Sequence, residues 1–242
     1  MVEGDYRNSI LEQLTEPAVP PPDEYTMWLE RARTGKNVDQ LEKSYELLVK
    51  RVKSIDPLTI AEMTDGEYKG GDGIPRVVIP FLHSWFVLEL LPYRIRAQHQ
   101  IIDTLPMKVL VLQHLITAAE NQGTAVRVMG EWIDCRSLQH GAVMGAHFSK
   151  TTSELLERYF ALAWSERMSR ALQWGGKPVE LGDEGFLFKF FPRLPVAFIH
   201  WKEDPEFPSF SKILYDISAS NYMPVHGLAA LTEFLIHRLA EG

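Results

Sequence analysis

The sequence predicts an α+β fold, a mainly antiparallel sheet packed with helices and preceded by an extended N-terminal arm. Three observations carry this. Four strand-like runs, "KPVEL", "GFLFKFF", "LPVAFIHW" and "SKILYDI", follow one another between residues 177 and 217. Two of their connections are far shorter than the dozen or more residues a parallel crossover needs, so neighbours pair antiparallel. Segments with apolar residues at helical spacing flank the runs and supply the covering layer. Four prolines in "EPAVPPPDE" (16–24) set the start of the chain apart as an extended, semi-rigid linker. The expected organisation is therefore an arm over residues 1–36, with residues 1–22 separable by proteolysis, and a single α+β domain over residues 37–242.

Residues 5–14 and 23–34 read as short helices. In "VDQLEKSYELLVKRVKS" (38–54), Leu41, Tyr45, Leu48 and Val52 recur at spacings of three and four, one apolar stripe opposite a charged face. Asp56-Pro57 ends that helix and can start another turn. Gly70, Gly71 and Gly73 lack the pattern of a phosphate loop and precede a strand, so they read as a turn. The β-branched and aromatic runs at 76–82 and 84–91 form strands joined tightly around His83. "DTLPMKVLVLQHLITAAE" (103–120) is a helix capped by Asp103 or Thr104 and apolar nearly all round. "TAVRVMGEWI" (124–133) reads as a strand interrupted by Gly130. Residues 151–174 read as a helix or helix pair, with Thr151 and Glu154 at capping-box spacing. Its expected buried face is Leu155, Leu156, Tyr159, Phe160, Ala163 and Trp164, and Gly175-Gly176 ends it. Residues 194–202 and 210–217 pair as a hairpin whose connection, "EDPEFPS" (203–209), is acidic because a solvated turn need not desolvate its charges. A helix at 224–240 follows.

Composition bounds the function. Of 242 residues, 45% are hydrophobic and 24% charged, ordinary values for a soluble globular protein. A formal net charge of −7 without a Lys/Arg stripe argues against nucleic-acid backbones and anionic membranes as partners. The single cysteine, Cys135, cannot build a disulfide framework, a cysteine zinc site or an iron–sulfur cluster by itself. There is no secretory signal pattern and no run of about 18 apolar residues, so a cytoplasmic location is expected.

The stretch "FPRLPVAFIHWKEDPEFPSFSKILYDISASNYMP" (191–224) resembles the C-terminal signature of a bacterial family, domain of unknown function 3786. Phe191, Pro192, Arg193 and Pro195 match its first element, Asp204, Glu206 and Phe207 its turn, and Leu214, Tyr215 and Asp216 its next strand end. Upstream, "VLQHLITAAENQGTAVRVMGEWIDCRSLQHG" (111–141) is similar to the family's helix, turn and Gly-x-Trp-Ile strand, through Gly130, Trp132, Ile133, Arg136, Leu138 and Gly141. The likeness covers roughly residues 38–240. Glu203 stands where the pattern has glycine, and Cys135, Ser137 and His140 replace other types. The resemblance implies an association with anaerobic metabolism, where some members carry an iron–sulfur segment like those of corrinoid iron–sulfur proteins.

Among candidate chemistries, "CRSLQHGAVMGAHF" (135–148) is the most suggestive. His140, Met144 and His147 lie among glycines that let a backbone approach a flat ligand, and imidazole or thioether can ligate cobalt or iron in a tetrapyrrole. The competing reading is a loop leading to a helix, its histidines bonded to backbone. Trp132, Arg136 and Arg193 either line a pocket, the arginines gripping carboxylate or phosphate, or serve as core and hairpin anchors. Cys135 is a nucleophile only if its pKa is lowered, and is otherwise a packed residue. The leading expectation is a cofactor-binding accessory protein of anaerobic metabolism that takes a corrinoid or haem, with His140 and His147 as axial metal ligands. The alternatives are a metal-assisted hydrolase or transferase using Asp204, Glu206 and a histidine, and an interaction module docking through its arm.

Overall fold

The computed structural model describes residues 38–241 except 72 and 124, and for residues 38–40 and 142–151 it describes the backbone alone. The arm expected over residues 1–36 lies outside the described residues. The architecture is α+β, and its strands form two antiparallel sheets. Helices α1 (Val38–Val52) and α2 (Pro57–Met63) lead into β1 (Glu67–Lys69), β2 (Arg76–Phe81), β3 (Ser84–Leu90) and β4 (Tyr93–Ala97), a meander in sequence order. Helix α3 (Leu105–Glu120) follows. The second half runs β5 (Trp132–Asp134), a 3-10 turn (Cys135–Ser137), α4 (Gly141–Ala161), α5 (Trp164–Gln173), β6 (Lys177–Pro178), β7 (Glu184–Phe191), β8 (Leu194–Trp201) and β9 (Phe210–Asp216). A further 3-10 turn (Ile217–Asn221) leads to α6 (Val225–Glu241). The second sheet has the order β5-β9-β8-β7-β6, all antiparallel.

Local signals explain most boundaries. Val52 completes the α1 stripe fully buried, and Asp56 caps α2 by accepting the Thr59 N–H at 3.0 Å. The glycines after β1 make the expected turn, with Gly71 at φ +108. Thr104, not Asp103, caps α3, while Asp103 accepts the Ala97 N–H and pairs with Lys108. The sheets meet where Phe81 packs edge-on against Phe86 and Phe191, with centroids 5.5 and 5.3 Å apart. There the Leu82 N–H, in the β2–β3 turn, donates to the Lys189 and Phe190 carbonyls beside a bulge in β7.

Three expectations are corrected. The strand expected over 124–133 is confined to Trp132–Asp134, because the buried Asp216 carboxylate takes the Met129 and Gly130 N–H groups and the Tyr222 hydroxyl takes the Val126 carbonyl. Side chains there satisfy backbone groups that a strand would give to a ladder. Helix α4 begins at Gly141, so residue 151 is interior to the helix and not at its N-terminus. Leu155, Leu156, Tyr159 and Phe160 are buried as expected, but Ala163 and Trp164 are exposed because the chain breaks at Leu162 and restarts as α5.

Candidate functional site

Strand β5 pairs with β9 only from Leu214 to Asp216, leaving residues 210–213 of β9 unpaired on that side. At Asp134 the chain leaves the sheet. The Asp134 carboxylate caps the 3-10 turn by accepting the Arg136 N–H at 2.9 Å, and α4 then runs back across the sheet. Between turn, helix and free edge lies a cleft of about 170 Å³, walled by Asp134, Cys135, Arg136, Thr152, Ser153, Leu156, Ser211, Lys212 and Ile213. Two cations stand there against one carboxylate, with three hydroxyls, while Leu156 and Ile213 supply a buried apolar floor. Such a lining suits a carboxylate or phosphate group.

Through Ser211 the cleft also reaches a half-buried polar row. His200 and Ser211 are cross-strand partners, and the Ser211 Oγ lies 2.8 Å from His200 Nδ1. Glu184 pairs with His200 on the other side, its carboxylate held by Arg167 and Lys202. The His200 ring stacks on Phe160 at 4.9 Å, and burial pushes its pKa below the ordinary histidine value. His200 is therefore neutral at pH 7.

The residues singled out in the sequence fall in different places. Arg136 lines the cleft; Trp132, four residues earlier, is half-buried outside its walls. His140 is exposed immediately before α4, in a left-handed conformation (φ 63), and makes no side-chain capping bond. Positions 140, 144 and 147 recur at helical spacing, but the side chains of Met144 and His147 lie outside the described residues. Arg193 is an anchor away from the cleft: it donates to the Gly123 and Glu62 carbonyls at 2.7 and 3.1 Å and pairs with Asp65. Cys135 is buried, and burial together with Asp134 raises its thiol pKa, which disfavours the thiolate a nucleophile needs. Asp204 organises its own turn, its carboxylate accepting the Glu206 and Phe207 N–H groups at 2.8 and 2.7 Å. Among the described residues, no three His, Cys, Asp or Glu side chains are grouped to hold a metal ion.

Ser211, Lys212, His200, Thr152 and Ser153 carried no motif. The hairpin register held the usable signal for two of them. Once Trp201 faces Phe210, His200 must face Ser211 on the same side of the sheet.

No curated protein and no solved structure matches the chain. The family model described as Domain of unknown function (DUF3786) matches residues 56–238, and the chain belongs to that family. No described helix is long and apolar enough to cross a membrane.

Proposed function

We propose that this family member is a non-catalytic accessory protein that binds an organic cofactor and grips one of its anionic arms in the cleft between α4 and the free edge of β9. The supporting observation is the cleft's lining, with Arg136 and Lys212 beside the Thr152, Ser153 and Ser211 hydroxyls. At about 170 Å³ the cleft falls below the roughly 300–1,000 Å³ typical of pockets that enclose a whole ligand, so it suits an arm. A tetrapyrrole is the cofactor class we favour. Haem and corrinoids carry polar or anionic arms around a flat ring, and the exposed His140 follows Arg136 by four residues, available to meet a metal from outside the cleft. His147 is the alternative axial ligand, and the setting in anaerobic metabolism rests on the family resemblance.

Anaerobic titration with haem and with aquacobalamin tests this reading. A visible spectral shift and comigration on gel filtration are expected. Arg136→Ala and Lys212→Ala should each weaken binding about tenfold, or about 1.4 kcal/mol. His140→Ala or His147→Ala should remove the shift, and His237→Ala should not. Absence of both shift and comigration overturns the proposal, and binding indifferent to Arg136 and Lys212 removes the cleft from it.

The Ser211–His200 contact favours a second reading, a hydrolase or transferase in which His200 accepts the serine proton. A fluorophosphonate adduct found by mass spectrometry at Ser211, and lost in His200→Gln, would displace the non-catalytic reading. Unlabelled Ser211 would dismiss the enzyme.

A further inference from the structure

We infer that His83 and His99 form a two-histidine site for a borderline transition-metal ion, independent of the cleft and of the cofactor reading. His83 lies in the β2–β3 turn, and His99 follows β4 on the way to α3. Their ring centroids are 6.1 Å apart, with planes tilted by 34°. His83 Nδ1 and His99 Nε2 are both buried and make no hydrogen bond. A buried polar atom without a partner forfeits its hydration, and an ion held by that atom is one of the few things that restores it.

The spacing suits such an ion. Imidazole nitrogen binds zinc at about 2.0–2.1 Å, which puts two rings on one ion with centres about 5 Å apart at a tetrahedral angle and about 6.4 Å apart in line. The observed separation lies between these limits.

The backbone around both residues is held in place. The Leu82 N–H, one residue before His83, donates to the Lys189 and Phe190 carbonyls of β7 at 3.2 and 3.0 Å. Gly175, at φ +75, packs so closely that a Cβ there would come within 3.1 Å of His83. Trp174 stands edge-on to the His83 ring with centroids 5.9 Å apart. On the other side, the His99 carbonyl accepts the Ile102 and Asp103 N–H groups, and Ser84 Oγ donates to the neighbouring Gln98 side chain. A site on fixed elements keeps its geometry without paying to order it.

Among the described residues no third His, Cys, Asp or Glu completes a cluster here, so two imidazoles supply the protein's share and water or a further ligand would complete the coordination. Paired imidazoles suit Cu²⁺, Ni²⁺, Co²⁺ or Zn²⁺ rather than Mg²⁺ or Ca²⁺, with Cu²⁺ bound most tightly.

The test uses the full chain, stripped with chelator and titrated with Cu²⁺ and Ni²⁺. One equivalent should bind and quench the fluorescence of Trp174, with a matching loss of quenching in Trp174→Phe. The electron paramagnetic resonance spectrum of the Cu²⁺ form should show two coordinated imidazoles, and one in either His83→Gln or His99→Gln. Each of those variants should bind at least tenfold more weakly, while His237→Ala binds as before. Metal-free circular dichroism checks that the variants are folded, and His99→Gln carries the test if His83→Gln is not. No stoichiometric binding, or binding unchanged in a folded histidine variant, overturns the proposal and leaves a bridging water as the partner of the two nitrogens.

Discussion

Asp216 is fully buried, yet it is more useful charged than neutral. Burial opposes its charge, but bonds from the Ser218 side chain and from the Ser218, Met129 and Gly130 N–H groups outweigh that cost and hold its pKa below the ordinary carboxyl value. One side chain thereby ties the chain entering β5 to the end of β9. Asp216→Asn should cost about 2–3 kcal/mol in a denaturant titration, since hydrogen bonds to a charged group are the strong ones. The sign of its pH dependence follows from a pKa that is lower folded than unfolded. The contribution is complete above the unfolded value and fades as pH falls from about 4, so wild type and variant should converge in acid. The family pattern made Asp216, Arg193 and Tyr215 visible in the sequence, but not their roles. Arg193 was open between pocket and anchor because its partners, Glu62, Asp65 and Gly123, are far away along the chain.

The elements read from period and punctuation were legible where the backbone satisfies itself, as in α1, α3 and the β7–β8–β9 hairpins. Legibility failed where side chains take over that task. Residues 125–131 alternate like a strand, yet Asp216 and Tyr222 claim their amide and carbonyl groups. The start of α4 was hidden because its glycines disfavour helix by about 1 kcal/mol each, a local cost that packing against α6 and β9 outweighs. Gly141 has a packing reason to be glycine: a Cβ there would come within 1.9 Å of the Cys135 carbonyl oxygen. Gly141→Ala must push the 3-10 turn away from α4, at a cost of about 1–3 kcal/mol for overpacking. Because that turn carries Arg136, the variant should also lose cofactor or anion binding while remaining folded, as calorimetric titration and circular dichroism would show. In contrast, Asp204→Asn with Glu206→Gln alters a turn outside the cleft. Ligand affinity should stay within about tenfold in the same titration, or about 1.4 kcal/mol.

At the scale of the whole molecule, the fold class was readable from short connections, but the presence of two sheets was not, because it depends on which apolar faces meet. The candidate cleft is a product of that assembly, bringing residues 134–136, 152–156 and 211–213 together. Only Arg136 among them was marked beforehand as a binding residue, since hydroxyls and a lysine carry no pattern until register and packing join them. The seam between the sheets has a consequence for acid stability. His114 of α3 is buried there, stacked on Phe191 of β7 at 3.7 Å, with its Nδ1 donating to the Tyr222 carbonyl at 3.0 Å. Burial lowers its pKa to about 4, although the bond to Tyr222 works in the opposite direction. The folded protein thus keeps this ring neutral at pH values where the unfolded chain, with a pKa near 6.5, has already protonated it. Unfolding then takes up close to one additional proton between pH 6.5 and 4, and stability falls by at most about 1.4 kcal/mol per pH unit on this account, with the full contribution retained above that window. His114→Gln keeps a side-chain donor for the Tyr222 carbonyl but cannot titrate. Its stability at pH 7 should be lower, while the slope of unfolding free energy between pH 6.5 and 4 should be shallower by about one proton. Urea titrations at half-unit pH intervals on both proteins measure that difference. Parallel slopes would mean that His114 is already charged in the folded state, contrary to the buried neutral ring from which the expectation follows.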